Sequence, residues 1–97
     1  MQGTIRKYRI DSGKAITVIQ RIQEDLIPLV RRLPGFMGFY VLNREDQLVT
    51  INLSADPRQL READEVATTW MGTLGSSVVL VSQEVISGPV VVEAAAD

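Results

Sequence analysis

The sequence predicts an α+β protein whose elements follow one another in the order β-α-β-β-α-β. Three observations lead to this prediction. An amphipathic helical stripe runs from Lys14 to Leu33, two apolar strand segments follow it across a short polar turn, and a second helical stripe begins after Asp56. We expect one domain over residues 1–97, since a chain of this length buries about two-thirds of its unfolded surface.

The first strand and helix are predicted from residues 4 to 33. Thr4 to Ile10 alternate as a strand with one mixed, partly polar face, and Ser12 is the expected N-cap of the helix that follows. Pro28 lies inside this helix and crowds the carbonyl four residues back, so we expect a kink near Glu24. The apolar positions recur at three- and four-residue steps, at Ile16, Ile19, Ile22, Leu26, Val30 and Leu33.

A hairpin follows the Pro34-Gly35 pair that ends this helix. Its strands are expected at Phe36 to Asn43 and at Gln47 to Ser54, joined through Arg44-Glu45-Asp46. Both sides of its first strand are apolar, so a second layer must cover the face that the helices leave open. Strict alternation assigns Phe36, Tyr40 and Leu42 to one side, and Met37, Phe39 and Val41 to the other.

The second helix and the last strand complete the order. Asp56-Pro57 is a cap followed by proline at the first helical position. The segment from Gly75 to Val81 is predicted to be irregular. The run Glu84 to Glu93 is rich in Val and Ile but contains Gly88-Pro89, which predicts an edge strand or a bulge there. The second helical stripe consists of Leu60, Ala63, Ala67, Trp70, Met71 and Leu74.

This order is that of the ferredoxin-like βαββαβ unit, a four-stranded antiparallel sheet with two helices on one face. Two helices cannot cover both faces of the sheet. The apolar second face of the hairpin therefore predicts a homodimer, in which two sheets pack face to face as a dimeric α+β barrel.

The composition excludes several classes of function. The net charge is -2 and the basic residues are scattered, which disfavours nucleic-acid binding. No run of about 20 apolar residues is present, so we expect no membrane span and a cytoplasmic protein. The chain has neither Cys nor His, which removes disulfides, Ser-His triads, zinc sites with nitrogen or sulfur ligands and a His-ligated haem. We expect no metal and no cofactor.

The pattern resembles the antibiotic biosynthesis monooxygenase-like (ABM) proteins of the dimeric α+β barrel superfamily. The resemblance rests on Leu33-Pro34-Gly35-Phe36, Gly38-Phe39-Tyr40, Ala67 to Trp70 and a closing Glu84-Val85 strand. It implies a pocket between the sheet and the helices, where characterised members oxidise phenolic polycycles with dioxygen and no cofactor. The haem-degrading branch of the family uses a His to bind iron, and this chain has none.

Two residues are the main candidates for a site. Asn52 shares a strand face with Thr50 and Ser54, and a buried amide must find partners or bind something. It also resembles the Asn with which some family monooxygenases hold a substrate oxygen. Trp70 lies on the stripe of the second helix, a position where related monooxygenases and haem-degrading members also carry a Trp, and as a pocket wall it would stack on a planar substrate. Each residue also has a purely structural explanation. Trp70 would be an ordinary core residue, and the Asn52 side chain would be hydrogen-bonded to neighbouring backbone.

The remaining candidates complete the predicted pocket. Tyr8 is expected to assist Asn52 and Trp70 in catalysis by hydrogen bonding, and Tyr40, Phe36, Phe39 and Met71 are expected to bind the substrate. We therefore expect a cofactor-independent monooxygenase-like protein that acts on or binds a small planar or phenolic molecule. The alternative is a non-catalytic dimer that binds a metabolite or serves as an assembly unit. No strong general base is visible, so deprotonation falls to a carboxylate, a tyrosine or water.

Overall fold

The computed structural model describes residues 1–74 and 81–96, which form a four-stranded antiparallel sheet with helices on one face. The strands lie in the order β2-β3-β1-β4. This arrangement confirms the predicted α+β, ferredoxin-like fold. The strands are β1 (Gln2–Arg9), β2 (Phe36–Arg44), β3 (Gln47–Ser54) and β4 (Val81–Pro89).

The first helix is built from three consecutive segments, α1 (Ala15–Arg21), a π-helical turn (Ile22–Leu26) and α2 (Ile27–Arg31). The π-helical turn lies where the sequence predicts a kink. Pro28 has no N–H to donate to the carbonyl of Glu24, and the wider turn just before it accommodates the missing bond.

The start of this helix differs from the prediction in two respects. A 3-10 turn, Ser12–Lys14, precedes α1, and it is the side chain of Asp11 that accepts a hydrogen bond, 2.9 Å long, from the backbone N–H of Gly13. The prediction that Ser12 is the cap is therefore wrong. Ile16, predicted on the buried stripe, is 82% exposed, because the buried face of α1 runs through Ala15 and Val18.

The turn between the first helix and β2 requires glycine at position 35. Gly35 has a φ of 74°, which side-chain-bearing residues rarely adopt, and a Cβ there would collide with the amide of Gln59. The carbonyl of Gly35 also accepts a hydrogen bond from the N–H of Ala55 at 2.8 Å. The Pro34-Gly35 pair thus joins the turn to the start of the second helix.

An irregularity in β2 changes which of its side chains share a face. The register against β3 shifts between Phe36 and Gly38, so that Phe36 pairs with Ser54. The predicted grouping of Phe36 with Tyr40 and Leu42 is therefore wrong, because strict alternation does not allow for the extra residue. The helix-facing side carries Phe36, Phe39 and Val41, and the open side carries Tyr40 and Leu42.

The second helix, α3 (Pro57–Gly72), begins as the sequence predicts. The side chain of Asp56 accepts a hydrogen bond from the N–H of Gln59 at 2.8 Å, and Pro57 occupies the first helical position. Burial of its apolar stripe against the sheet and the first helix forms the core. Buried residues of α3 are Leu60, Ala63, Ala67, Trp70 and Met71, and the core also contains Tyr8, Leu26, Val30 and Leu48.

β4 is an edge strand, as the Gly88-Pro89 pair predicts, and it ends at Pro89. The irregularity in its pairing with β1 lies between Lys7 and Tyr8 of β1. Residues 75–80, within the segment that the sequence predicts to be irregular, lie outside the described residues. Among the helices of the described ranges, none is long and apolar enough to cross a membrane.

Candidate functional site

A row of four side chains crosses the helix-facing side of the sheet, one from each strand. The strand register aligns Ser87 of β4 with Thr4 of β1, Thr4 with Asn52 of β3, and Asn52 with Phe39 of β2. Directly paired residues lie about 4.5 to 5.5 Å apart on the same face of a sheet. Three polar side chains are therefore neighbours beneath the helices, with an aromatic ring beside them.

Asp64 of α3 lies over this row and binds two of its members. Its Oδ2 accepts a hydrogen bond of 2.7 Å from the Thr4 hydroxyl, and its Oδ1 accepts one of 3.1 Å from Nδ2 of Asn52. The Thr4 hydroxyl is also 3.1 Å from the hydroxyl of Ser87. We call Thr4, Asn52, Asp64 and Ser87 the Asp64 cluster.

The Asn52 amide has one polar atom without a partner in the described part of the chain. The side chain is only 3% exposed, and its Oδ1 is buried without a hydrogen bond. Asp64 fixes the orientation of the amide, because the opposite orientation would set Oδ1 against a carboxylate oxygen. Asn52 is therefore held as a hydrogen-bond acceptor. The hydroxyl of Ser54, two residues along the same face, is also buried without a partner among the described residues.

Tyr8 and Arg6 extend the polar surface along β1. Both alternate with Thr4 onto the helix-facing side, with Tyr8 buried and Arg6 half-buried. Burial raises the pKa of the Tyr8 hydroxyl, the Arg6 guanidinium opposes this shift, and the Asp64 carboxylate adds to it. The phenol is therefore protonated at neutral pH, where it is a hydrogen-bond donor and cannot serve as a base.

The other predicted site residues are divided between the two faces of the sheet. Phe36 and Phe39 flank Ser54 and Asn52 on the helix-facing side, and Met71 is buried in the core above it. Tyr40 lies on the opposite face and is 57% exposed, so the fold does not bring it together with Asn52.

Trp70 is buried and lines an open groove of about 470 Å³ between α2 and α3, together with Leu29, Val66 and Thr69. The polar row lies elsewhere on the sheet. Asn52 is not among the residues that line this groove.

Sequence reasoning missed Asp64, Thr4 and Ser87. A signal for Asp64 was present, because it lies four residues after Leu60 and three before Ala67, which puts a carboxylate on the apolar stripe of α3. Thr4 and Ser87 gave no signal, since their proximity depends on the pairing of β1 with β4. Within residues 1–74 and 81–96, no group of three or more acidic side chains is arranged to hold a metal ion.

Comparison with known proteins supports the fold. The chain matches no protein-family model and no curated protein. Among solved structures, it is similar to a protein from Chloroflexus aurantiacus named as a putative antibiotic biosynthesis monooxygenase, with a TM-score of 0.69, 16% identity and 96% of both chains covered. This chain has the ABM-like fold. The resemblance predicted from the sequence is confirmed at that level.

Two further solved structures show which activities occur on this fold. SnoaB from Streptomyces nogalater, a cofactor-independent oxygenase, has a TM-score of 0.62 and 16% identity over 92% of this chain and 91% of its own. The haem degrader MhuD from Mycobacterium tuberculosis, with two haems bound in its active site, has a TM-score of 0.72 and 13% identity over 98% of this chain and 100% of its own. Such low identities establish a shared fold and leave the chemistry to the residues.

Proposed function

We propose that this protein is a cofactor-independent monooxygenase that acts on a small planar phenol. The observation that carries the proposal is the Asn52 amide, which is buried, oriented by Asp64 and left with an acceptor that no described residue uses. Leaving such an atom unpaired costs about 1 to 3 kcal/mol, so a ligand that donates a hydrogen bond to it would gain that amount. A phenolic hydroxyl is such a donor.

The neighbouring side chains fit the same substrate. Phe39, beside Asn52, offers an aromatic surface, and the protonated Tyr8 hydroxyl can donate a hydrogen bond to a second substrate oxygen. Met71 would supply an apolar wall from α3, and Trp70 would do so for a substrate that reaches from Asn52 into the groove between α2 and α3. Once deprotonated, a phenol of this kind can itself supply the electrons that reduce dioxygen. SnoaB, which has the same fold, is a cofactor-independent oxygenase.

Haem degradation, the activity of MhuD, is not proposed for this chain. The chain contains no His, and a proximal His is a common axial ligand of haem iron. The buried polar row also suits a ligand with hydroxyl groups better than the apolar face of a porphyrin.

We also propose that the protein works as a cytoplasmic homodimer. The face of the sheet away from the helices is apolar, with Ile5, Met37, Tyr40, Leu42 and Ile86 between 38% and 59% exposed. A monomer rarely leaves a contiguous apolar face of this kind in water. A second copy presents the same face and is the simplest cover for it, since the two surfaces match by symmetry.

One observation favours a second candidate function, a non-catalytic dimer that binds a metabolite or only assembles. Asn52 does not line the groove that Trp70 lines between α2 and α3. If substrate never reaches Asn52, the polar row is only a buried hydrogen-bonded network, and the protein has no oxygenase activity.

Oxygen uptake separates these candidates. The purified protein is mixed with 1,8-dihydroxyanthrone, and oxygen uptake above the uncatalysed rate is expected. Asn52→Ala should lower the rate of uptake by at least about tenfold, the effect of one lost hydrogen bond to a reacting group. Trp70→Phe should raise KM more than it lowers kcat if Trp70 only lines the pocket. Asn43→Ala is the matched control, because the Asn43 amide bonds the backbone carbonyl of Gln47 at 3.0 Å, far from the row. Equal rates in all three variants would remove the site assignment.

A further inference from the structure

The Asp64 cluster forms a continuous hydrogen-bonded path between a half-buried carboxylate and the edge of the sheet. The path runs from Oδ2 of Asp64 to the Thr4 hydroxyl over 2.7 Å and from Thr4 to the Ser87 hydroxyl over 3.1 Å. Thr4 is 2% exposed, whereas Ser87 is exposed on the edge strand β4. One end of the path is therefore among buried groups and the other is in contact with water.

The second oxygen of Asp64 points to the proposed substrate position. Oδ1 accepts from Nδ2 of Asn52, and the unpartnered Oδ1 of Asn52 belongs to the same amide. A hydroxyl bound at Asn52 would therefore lie within a few ångströms of the Asp64 carboxylate. A general base must come within about 2.6 to 3.2 Å of the oxygen whose proton it takes, directly or through one water.

The charged and titratable groups around Asp64 suit this role. Arg6 and Tyr8 of β1 face it from the sheet, whereas Asn52 of β3 and Ser87 of β4 are uncharged. Tyr8 keeps its own proton at neutral pH. Among the members of the cluster, Asp64 is the one carboxylate, the kind of group that can act as a general base.

We infer that Asp64 is the general base of the reaction and that Thr4 and Ser87 form a relay that carries the proton from Asp64 to solvent. The inference rests on the proposed function. The substrate O–H bond breaks, its electron pair stays on the substrate oxygen, and the proton goes to Asp64. The substrate proton arrives on Oδ1, so the carboxyl group turns about its Cβ–Cγ bond to carry it to the Thr4 side, and the Thr4 hydroxyl, which donates to Asp64 at rest, turns toward Ser87. Asp64 then donates to the Thr4 oxygen, while the Thr4 proton passes to Ser87 and the Ser87 proton to water.

An anaerobic experiment isolates this step from oxidation. Without dioxygen, 1,8-dihydroxyanthrone can bind and lose its proton but cannot be oxidised, and its anion is followed by stopped-flow absorbance. Binding is measured separately by equilibrium dialysis. Asp64→Asn replaces the carboxylate by an uncharged amide of the same shape. This variant is expected to bind the anthrone but to deprotonate it at least about 100-fold more slowly.

The two hydroxyl residues are tested as positioning residues that act through Asp64. Thr4→Val should slow deprotonation about five- to tenfold, as expected for one lost hydrogen bond, and Thr4→Ser should restore the rate because it keeps the hydroxyl. Ser87→Ala should slow it similarly, and added imidazole buffer should restore that rate by taking the proton directly. Rescue by buffer separates a broken relay from a structural defect. Thr68→Val is the control, because the Thr68 hydroxyl donates to the backbone carbonyl of Asp64, outside the path.

The outcomes distinguish the relay from the proposed function. If the wild type binds no anthrone and takes up no oxygen, the proposed function is wrong and the inference fails with it. If the wild type binds and turns over but Asp64→Asn deprotonates the anthrone as fast, Asp64 is not the base and the proposed function stands. An unchanged rate in Ser87→Ala, an exposed position whose substitution leaves the fold intact, overturns the relay even if Asp64→Asn fails to fold.

Discussion

Each face of the sheet departs in part from what its surroundings lead one to expect. Under the helices lie four buried polar side chains, Thr4, Thr50, Asn52 and Ser54. The face without helices exposes large apolar side chains such as Leu42 at 59% and Ile86 at 56%. Ordinary half-covered sheets place apolar residues inside and polar residues in water.

Each departure has a cost that points to something absent from the isolated chain. Buried polar atoms must be paired, and here Asp64 pairs part of the row and leaves the Asn52 acceptor open. Apolar area left in water forgoes about 25 cal/mol per Å² of stabilisation. These two departures are what the proposed ligand site and the proposed homodimer would each relieve.

The largest expected effect comes from placing a charge on the open face. Ile86→Glu should convert the dimer into a monomer, because association would bury two unpaired carboxylates, one from each copy. Ile16→Glu, on an 82% exposed side chain of α1, should leave the dimer intact. Light scattering coupled to size exclusion should give twice the 10.7 kDa chain mass for the wild type and for Ile16→Glu. A wild type that is monomeric at micromolar concentration contradicts the dimer.

The next largest effect is a loss of stability when Asp64 is removed from the helix-covered face. Asp64→Ala removes the acceptor of two buried donors and should lower the free energy of unfolding by about 2 to 4 kcal/mol. Glu65→Ala, at the next position on the exposed side of α3, should change it by less than about 0.5 kcal/mol. Urea denaturation measures both. Equal, small changes in the two variants would mean that the cluster does not contribute to stability.

A smaller and opposite effect is expected at Ser54. Its hydroxyl is buried without a partner in the described chain, so Ser54→Ala should raise the free energy of unfolding by about 1 kcal/mol. Thr4→Val removes a hydroxyl that is hydrogen-bonded and should lower it by about 1 to 2 kcal/mol. The same denaturation experiment compares them, and destabilisation of similar size in both would show that the Ser54 hydroxyl is paired.

The smallest effect is the dependence of stability on alkaline pH. Burial raises the pKa of Tyr8 in the folded state, so the folded protein keeps this proton to higher pH than the unfolded chain, whose tyrosine pKa is about 10. This contribution is fully present below pH about 10 and is lost as the pH rises through the folded-state pKa. Tyr8→Phe should flatten the alkaline loss of stability, and Tyr40→Phe should not. A slope that Tyr8→Phe leaves unchanged contradicts the burial argument.

The elements of the fold were predictable because each has a local cause. Asp56-Pro57 begins α3 and Pro34-Gly35 follows the end of the first helix. The last strand was predicted to run on to Glu93, but β4 ends at Pro89, which has no N–H to donate. The exchange of faces at Phe36 was not predictable, since the register shift beside Met37 depends on pairing with β3. Capping by Asp11 instead of Ser12 reflects a one-turn 3-10 start that the apolar stripe does not encode.

The candidate site was predictable only in part, for a similar reason. The position of Asn52 within a polar strand face is visible in sequence, and its burial follows from alternation. Its partner Asp64 lies 12 residues away on another element, and Ser87 is 83 residues from Thr4. Contacts of this kind are set by strand order and helix packing, so the proposed general base, Asp64, could be assigned only from the folded chain.

Nuclear magnetic resonance tests most directly whether Asn52 presents its unpartnered Oδ1 to a ligand. The side-chain NH₂ of Asn52 is followed during anaerobic titration with 1,8-dihydroxyanthrone, with the Asn43 NH₂ as an internal reference. We expect the Asn52 resonances to shift with saturable dependence on anthrone concentration while those of Asn43 stay in place. Saturable binding elsewhere with unmoved Asn52 resonances would contradict the claim.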